Sequence, residues 1–168
     1  MKIDVYMTLT MNGLIALPDG NVTWSKETWK AYAALTKQYK ATIVGHTTYD
    51  LLAEDNEFRK IGDPIVIVFG KKKAKLAAKH HYQASTIAQA KTILKKLKIS
   101  KVIHGGGAKA LSAFIEDGVV DNVIIDIEPQ LYGQGMNFIN AKKPWVKHLK
   151  LLNVKTIAKK IVRITYKA

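Results

Sequence analysis

The chain has 168 residues, 48% of them hydrophobic and 24% charged, which excludes global disorder and leaves ample apolar material for a core. Lysine and arginine number 27 against 13 acidic residues, a formal net charge of +14, so anionic partners are favoured. Cysteine is absent, which rules out disulfides, thiolate metal sites and a thiol nucleophile.

The chain starts on Lys2-Ile3-Asp4-Val5, with no apolar stretch of the secretion-signal type, and no apolar run reaches the roughly 20 residues of a membrane helix. A cytoplasmic protein without membrane contact is expected. Residues 3–9 form the first predicted strand, and Met11-Asn12-Gly13-Leu14-Ile15-Ala16 follows it. A helix is expected over 25–38, then a strand over 41–44 that ends in Gly45-His46-Thr47-Thr48-Tyr49 and opens a helix over 47–54. Thr47 or Thr48 could cap that helix; alternatively its free amides could receive an anion. The apolar run 65–69 reads as a buried central strand. The lysine-rich stretch 71–79 leads to a weak strand at 81–84.

Ile87, Ala90, Ile93, Leu94 and Leu97 share one face of a helix over 86–97, with Thr86 placed to cap it. The strand 101–104 then runs into His104-Gly105-Gly106-Gly107 and a helix over 107–117. Glycines at such a turn let backbone approach a ligand, and the helix start offers amides to phosphate. A strand over 119–127 carries Asp126 among apolar residues, where a carboxylate needs a partner or a use. Leu131-Tyr132-Gly133-Gln134-Gly135 makes a sharp loop, and 147–155 with 160–167 form a hairpin. Strand–helix alternation up to residue 118 predicts a three-layer α/β/α domain spanning 1–168. Its sheet is mixed, mostly parallel and eight-stranded, with an antiparallel C-terminal hairpin.

Of the 27 basic residues only Arg59 and Arg163 are arginine, which argues against nucleic-acid readout. His80 and His81 would point apart on a strand, and His46, His104 and His148 are scattered, so no metal is expected.

Taken in order, these motifs resemble the dihydrofolate reductase superfamily, which includes dihydrofolate reductases and the reductase domains of riboflavin biosynthesis. Met11 to Ala16 resembles the start of the flexible active-site loop, and Trp24 its loop tryptophan. Gly45 to Asp50 resembles the G-R-x-T-[YW]-[ED] cofactor motif, with histidine in the arginine position. His104 to Gly107 resembles the I-G-G-G turn, and Val120 through Gly135 and Phe138 resembles a segment of the riboflavin-type branch.

The resemblance implies NADPH as cofactor and hydride transfer as reaction. It sets Gly105, Gly106, Gly107, Ala108 and Lys109 at the pyrophosphate, with a cis Gly105–Gly106 peptide expected. Gly45, His46, Thr47 and Thr48 would meet the pyrophosphate and adenosine side. Lys71, Lys72 or Lys73 would supply charge for a ribose phosphate; NADH stays the other option. Met7, Thr8, Ile15 and Ala16 would approach the nicotinamide. Trp29 occupies the position of the pterin-binding carboxylate, so Asp126 is expected to anchor the substrate, with Glu27 second. Asp126 and Glu27 are thus the catalytic candidates, and Met7, Trp29, His104 and Asp126 the substrate-binding ones. Dihydrofolate is the first substrate expected, a phosphoribosylamino-pyrimidine the second, and an RNA-binding module without catalysis the third reading. Both monomer and homodimer remain open.

Overall fold

The computed structural model describes residues 1–168. In chain order the elements are β1 (Lys2–Thr10), β2 (Leu14–Ala16), α1 (Lys26–Thr36), β3 (Ala41–Gly45), α2 (His46–Glu54), α3 (Glu57–Lys60), β4 (Ile65–Phe69) and β5 (His81–Ala84). There follow α4 (Ile87–Lys96), β6 (Lys101–His104), α5 (Ala108–Glu116), β7 (Asn122–Glu128), β8 (Met136–Asn137), β9 (Lys150–Ile157) and β10 (Ile161–Lys167). Eight strands form one sheet in the order β5-β4-β3-β6-β1-β7-β10-β9. Its first six are parallel, and β10 and β9 join antiparallel at the β7 edge. The α/β class, the mixed eight-stranded sheet and the terminal hairpin are as expected. No helix is long and apolar enough to cross a membrane.

Period-2 alternation on the central strands builds two cores. Ile3 and Val5 of β1, Ile43 of β3 and Val123 of β7 pack with Leu94 of α4 and with Leu111 and Phe114 of α5. The intervening Tyr6, Val44 and Ile124 pack with Tyr32 and Leu35 of α1, Tyr49 of α2 and Phe58 of α3. One face thus carries α4 and α5, and the other α1, α2 and α3. Each fully buried Leu, Ile or Phe contributes roughly 1.5–3 kcal/mol. Local signals set the helix starts: Ser25 accepts from the Thr28 amide at α1, and Thr86 from the Gln89 amide at α4.

Three expectations change, and three short elements are added. All peptides are trans; the glycine turn is made instead by positive φ at Gly106 (138°) and Gly107 (87°). The two-residue β8 pairs with β2 in a separate small sheet, and α3 is a single helical turn; all three elements are too short to show a period. Neither Thr47 nor Thr48 caps α2, whose N-cap is Gly45. His80 and His81 do not diverge, because His80 sits in the turn before β5; their ring centroids are 4.8 Å apart.

Candidate active site

The parallel strands point their carboxyl ends at two neighbouring helix starts. Helix α2 begins after Gly45 and α5 after Gly107, and neither N-cap makes a side-chain hydrogen bond. The first amides of each helix have no intrahelical acceptor, and the helix dipole adds positive potential there. The two turns are stitched together: the Gly45 amide donates to the Gly106 carbonyl (3.0 Å), and the Gly105 amide to the Ile43 carbonyl (2.8 Å). A Cβ on Gly107 would stand 3.0 Å from the Gly45 Cα, and its φ already lies in the glycine region. The result is a side-chain-free cradle between two anion-attracting helix ends, which fits a dinucleotide pyrophosphate. Thr47 and Lys109 are exposed in the first turns of α2 and α5.

The charge beside the cradle differs from the family pattern. His46 Nδ1 lies 3.0 Å from Asp50 Oδ2, and its Nε2 is 3.3 Å from the Lys73 carbonyl oxygen. That pins the loop after β4 against α2. Lys71, Lys72 and Lys73 are exposed on this loop and are the cations available to a ribose phosphate.

Next to the cradle, on the α1 face of the sheet, lies a cavity of about 110 Å³ lined by Tyr6, Met7, Thr8, Trp24, Thr28, Trp29, Tyr32, Thr48, Leu52 and Gly105. Aromatic rings dominate it. Tyr6 and Tyr32 stack at 5.3 Å, and Trp29 meets Tyr32 edge-on at 6.3 Å. Burial pushes the Tyr32 phenol up to about 12, and its oxygen has no hydrogen-bond partner. Burial, then the Asp126 charge, holds the Tyr6 phenol well above its ordinary pKa. A second groove of about 460 Å³ shares Trp29 and Tyr32 and lies between α1 and α3, with Lys30, Lys37, Glu57 and Lys60 in its lining.

The wall opposite the cradle is a clamp. Asn12 Nδ2 donates to the Tyr132 carbonyl (2.7 Å), and Thr23 Oγ1 donates to Gln130 Oε1 (2.7 Å). Trp24 stacks on Tyr132 at 5.8 Å. A Cβ on Gly135 would fall 2.3 Å from the Ala16 carbonyl oxygen, so only glycine lets β2 and β8 meet. The Gly133/Gly135 loop thereby holds the 11–25 segment against the sheet, a role that its residues alone did not reveal.

Of the residues singled out from sequence, Met7, Thr8, Trp24, Trp29, Thr48 and Gly105 line the cavity. Ala16 is buried on β2. His104 faces away: it lies on the α5 side of the sheet, its ring 5.0 Å from Phe114, and is fully buried. Its Nδ1 accepts from the Gly106 amide (3.4 Å), so it buttresses the glycine turn from behind. Burial lowers its pKa to about 3, which keeps the ring neutral. Asp126 is fully buried and stands behind Tyr6 rather than in the cavity wall. Arg163 donates to both its oxygens at 2.6 Å, and the Tyr6 hydroxyl donates to Oδ2 at 2.9 Å. Glu27 points away from the cavity and pairs with Lys160 at 3.1 Å. The helix phase puts Thr28, one residue on, against the cavity instead. Thr28 Oγ1 donates to Glu128 Oε2, and Glu128 is buried. Sequence reasoning missed Tyr6, Thr28, Tyr32 and Glu128. The available signal was that Asn122, Asp126 and Glu128 alternate onto one face of β7, opposite Asp4, Thr8 and Thr10 of β1.

Comparison with known proteins follows the same lines. The family model for the RibD C-terminal domain matches residues 2–163. The riboflavin biosynthesis protein RibD of Aquifex aeolicus is 27% identical over 172 residues, covering 79% of this chain. The chain spans about half the length of that relative, 48%. Acinetobacter baumannii RibD superposes with a TM-score of 0.79 at 17% identity, over 99% of this chain and 57% of that one. Schistosoma mansoni dihydrofolate reductase superposes at 0.73 and 16% identity, over 99% and 98%. The last two are likenesses of fold.

Proposed function

The chain belongs to the RibD C-terminal domain family, and on that premise we propose that it is a reductase that uses NADPH to reduce a small planar heterocyclic substrate. The observation that carries this reading is the pair of uncapped helix starts, joined through Gly45 and Gly107, beside an aromatic cavity. Gly105, Gly106, Gly107 and Ala108 would hold the pyrophosphate, with Thr47, Thr48 and Lys109 at its rim and Lys71 toward the ribose phosphate. NADPH, when bound, supplies the hydride. Met7 and Thr8 then form the cavity floor, and Tyr6, Tyr32 and Trp29 hold a flat ring by stacking.

Positioning is the main task left to the protein, because hydride transfer to a C=N or carbonyl carbon needs donor and acceptor roughly 3–3.5 Å apart. The Thr28 hydroxyl donates a hydrogen bond to Glu128, which leaves it a lone pair to accept an N–H from the substrate ring. With a proton on Glu128 this bond would reverse, so that Thr28 passes one proton to the substrate and takes one from Glu128, a relay that reaches the cavity. Asp126 serves as a positioning residue through Tyr6 and Arg163. The clamp formed by Asn12, Thr23, Trp24 and Tyr132 shields the cavity from bulk water.

The substrate we favour is a phosphoribosylamino-pyrimidine, the class named for the Thermotoga maritima deaminase and 5-amino-6-(5-phosphoribosylamino)uracil reductase of the same fold. Its ring suits the cavity, and its phosphate suits the neighbouring groove, where Lys30 and Lys37 stand across from the Glu57–Lys60 ion pair. Dihydrofolate, the first expectation from sequence, ranks second because no carboxylate of α1 lines the cavity. The test mixes purified protein with NADPH and either 5-amino-6-(5-phosphoribosylamino)uracil or dihydrofolate, and follows nicotinamide absorbance. Oxidation that depends on the pyrimidine is expected. Faster turnover of dihydrofolate would reverse the substrate order, and absence of NADPH binding would remove the reductase reading.

A further inference from the structure

A second cluster of polar side chains lies at the amino ends of β4 and β5, opposite the cradle. Asp63, His80 and His81 each offer one ligand atom there, and these atoms all lie within 4.8 Å of one another. We propose that they bind a divalent transition ion of the zinc class through two imidazoles and one carboxylate.

His80 Nε2 and Asp63 Oδ1 are 3.2 Å apart. Two ligands on a tetrahedral ion with bonds of about 2.1 Å are separated by roughly 3.4 Å, so this pair already has ligand spacing. His81 provides an independent observation. It is 4% exposed, and its Nε2 is buried without any hydrogen-bond partner. Buried polar atoms are seldom left that way without a use. Its Nδ1 is 2.8 Å from Tyr49 Oη, which also accepts from the Ala77 amide at 2.7 Å. Tyr49 either donates to Nδ1 or accepts from Nδ1–H, and ion binding would select the second arrangement, in which the phenol uses both lone pairs. That tautomer frees the Nε2 lone pair, and a second hydrogen bond of this kind commonly orients a metal-binding histidine.

The backbone supports the convergence. Asp63 holds φ at 50°, a left-handed conformation that aspartate tolerates better than most residues, directly after Gly62. Nitrogen with oxygen ligands suits zinc and its neighbours, whereas calcium and magnesium prefer oxygen alone. Asp63 and His80 are partly exposed, so water would complete the coordination. The ion would tie the α3–β4 loop to the start of β5 and, through Tyr49, to helix α2. It would stabilise this edge of the sheet without entering the reductase cavity.

The test titrates zinc chloride into the untagged full chain by calorimetry, with Tm read in parallel. One ion per chain and a rise in Tm are expected. Asp63→Asn and His80→Ala, both partly exposed and tolerant of change, should each weaken binding at least tenfold and remove the Tm rise. His148→Ala, an exposed histidine elsewhere, should change neither. Ring-nitrogen NMR should show the His81 proton on Nδ1 once zinc is bound. No zinc heat in the wild type, or equal binding by both cluster variants, would overturn the proposal; so would loss of binding in His148→Ala.

Discussion

Asp126 and Glu128 stand two residues apart on one face of β7, and both are buried, yet one is neutralised by a cation and the other is not. Asp126 lies directly across the ladder from Arg163 and is neutralised by it. Its third contact is the hydroxyl of Tyr6, a residue of the cavity lining that also bonds Thr8. Glu128 has no basic group in salt-bridge range and holds the hydroxyl of Thr28, which lines the cavity. A buried carboxylate is therefore not a functional sign in itself. The charge balance decides: both carboxylates hold a hydroxyl from the cavity lining, Tyr6 or Thr28, but the guanidinium of Arg163 takes up the charge of Asp126 alone.

The largest effect that would sharpen this contrast concerns Asp126. Removing one member of a buried ion pair leaves the other uncompensated, at a cost of about 3–5 kcal/mol. Asp126→Ala should lower stability by that amount in urea unfolding, because Arg163 stays in place. Joint replacement by Asp126→Leu and Arg163→Met should restore most of it, since apolar residues of similar volume can replace such a pair. Turnover per folded molecule should fall far less than stability. Full stability with lost turnover would break the contrast and return Asp126 to the site.

His104 extends the comparison to a buried titratable group with no charged partner. Its folded pKa is about 3, against roughly 6.5 unfolded. Between those values the unfolded chain binds a proton that the folded chain does not, so stability falls as the pH falls. The contribution is complete above pH 6.5 and shrinks by about 1.4 kcal/mol per unit below it, roughly 2 kcal/mol by pH 5. His104→Asn keeps an acceptor for the Gly106 amide and removes the titration. Urea unfolding at several pH values should show a shallower slope for the variant. The difference between the two proteins is what counts, because His81 is lowered as well. Equal slopes would show that His104 charges in the fold.

Much of this molecule is legible in its sequence for identifiable reasons. The run 65–69 is apolar and almost wholly β-branched, and Val102-Ile103 forms the middle of 101–104; each strand stands where expected. The glycine turn before α5 is visible because only glycine serves there, at a positive φ and against the backbone of Gly45. The site is less legible, because it depends on phase and register. Glu27 and Thr28 differ by about 100° around α1, and that rotation decides which one meets the cavity. Asp126 shows in the sequence as a lone carboxylate among apolar residues, but its partner lies 37 residues later and is brought opposite only by the β7–β10 register. Likewise His81 becomes notable only once the fold buries its ring beside His80 and Asp63.

Glu128 tests the other half of the contrast more gently. Glu128→Gln preserves an acceptor for the Thr28 hydroxyl and nearly the same volume, so unfolding should move by less than about 1 kcal/mol. The acid–base capacity is lost. A tenfold or greater drop in kcat/KM is expected, about 1.4 kcal/mol of transition-state stabilisation. The loss should fall on kcat rather than KM, and Glu128→Asp, which keeps the carboxylate, should recover part of it, a pattern that a merely structural role would not bring. Unaltered kinetics would move the proton source to water held under the clamp.

The smallest effect belongs to Glu27, the carboxylate that sequence placed second in the site. Its side chain is exposed and pairs with Lys160, itself exposed, at the turn between β9 and β10. Hydrogen bonds from its own backbone amide and then from Lys160 lower its pKa, but water screens a pair of this kind and leaves it little net value. Glu27→Gln should therefore change neither unfolding nor NADPH oxidation measurably, and added salt should erase any residual difference. A clear loss of turnover in this variant would mean that α1 rotates when substrate binds, bringing Glu27 in and Thr28 out. The assignment of Glu128 would fall with it, because Thr28 is its route to the cavity.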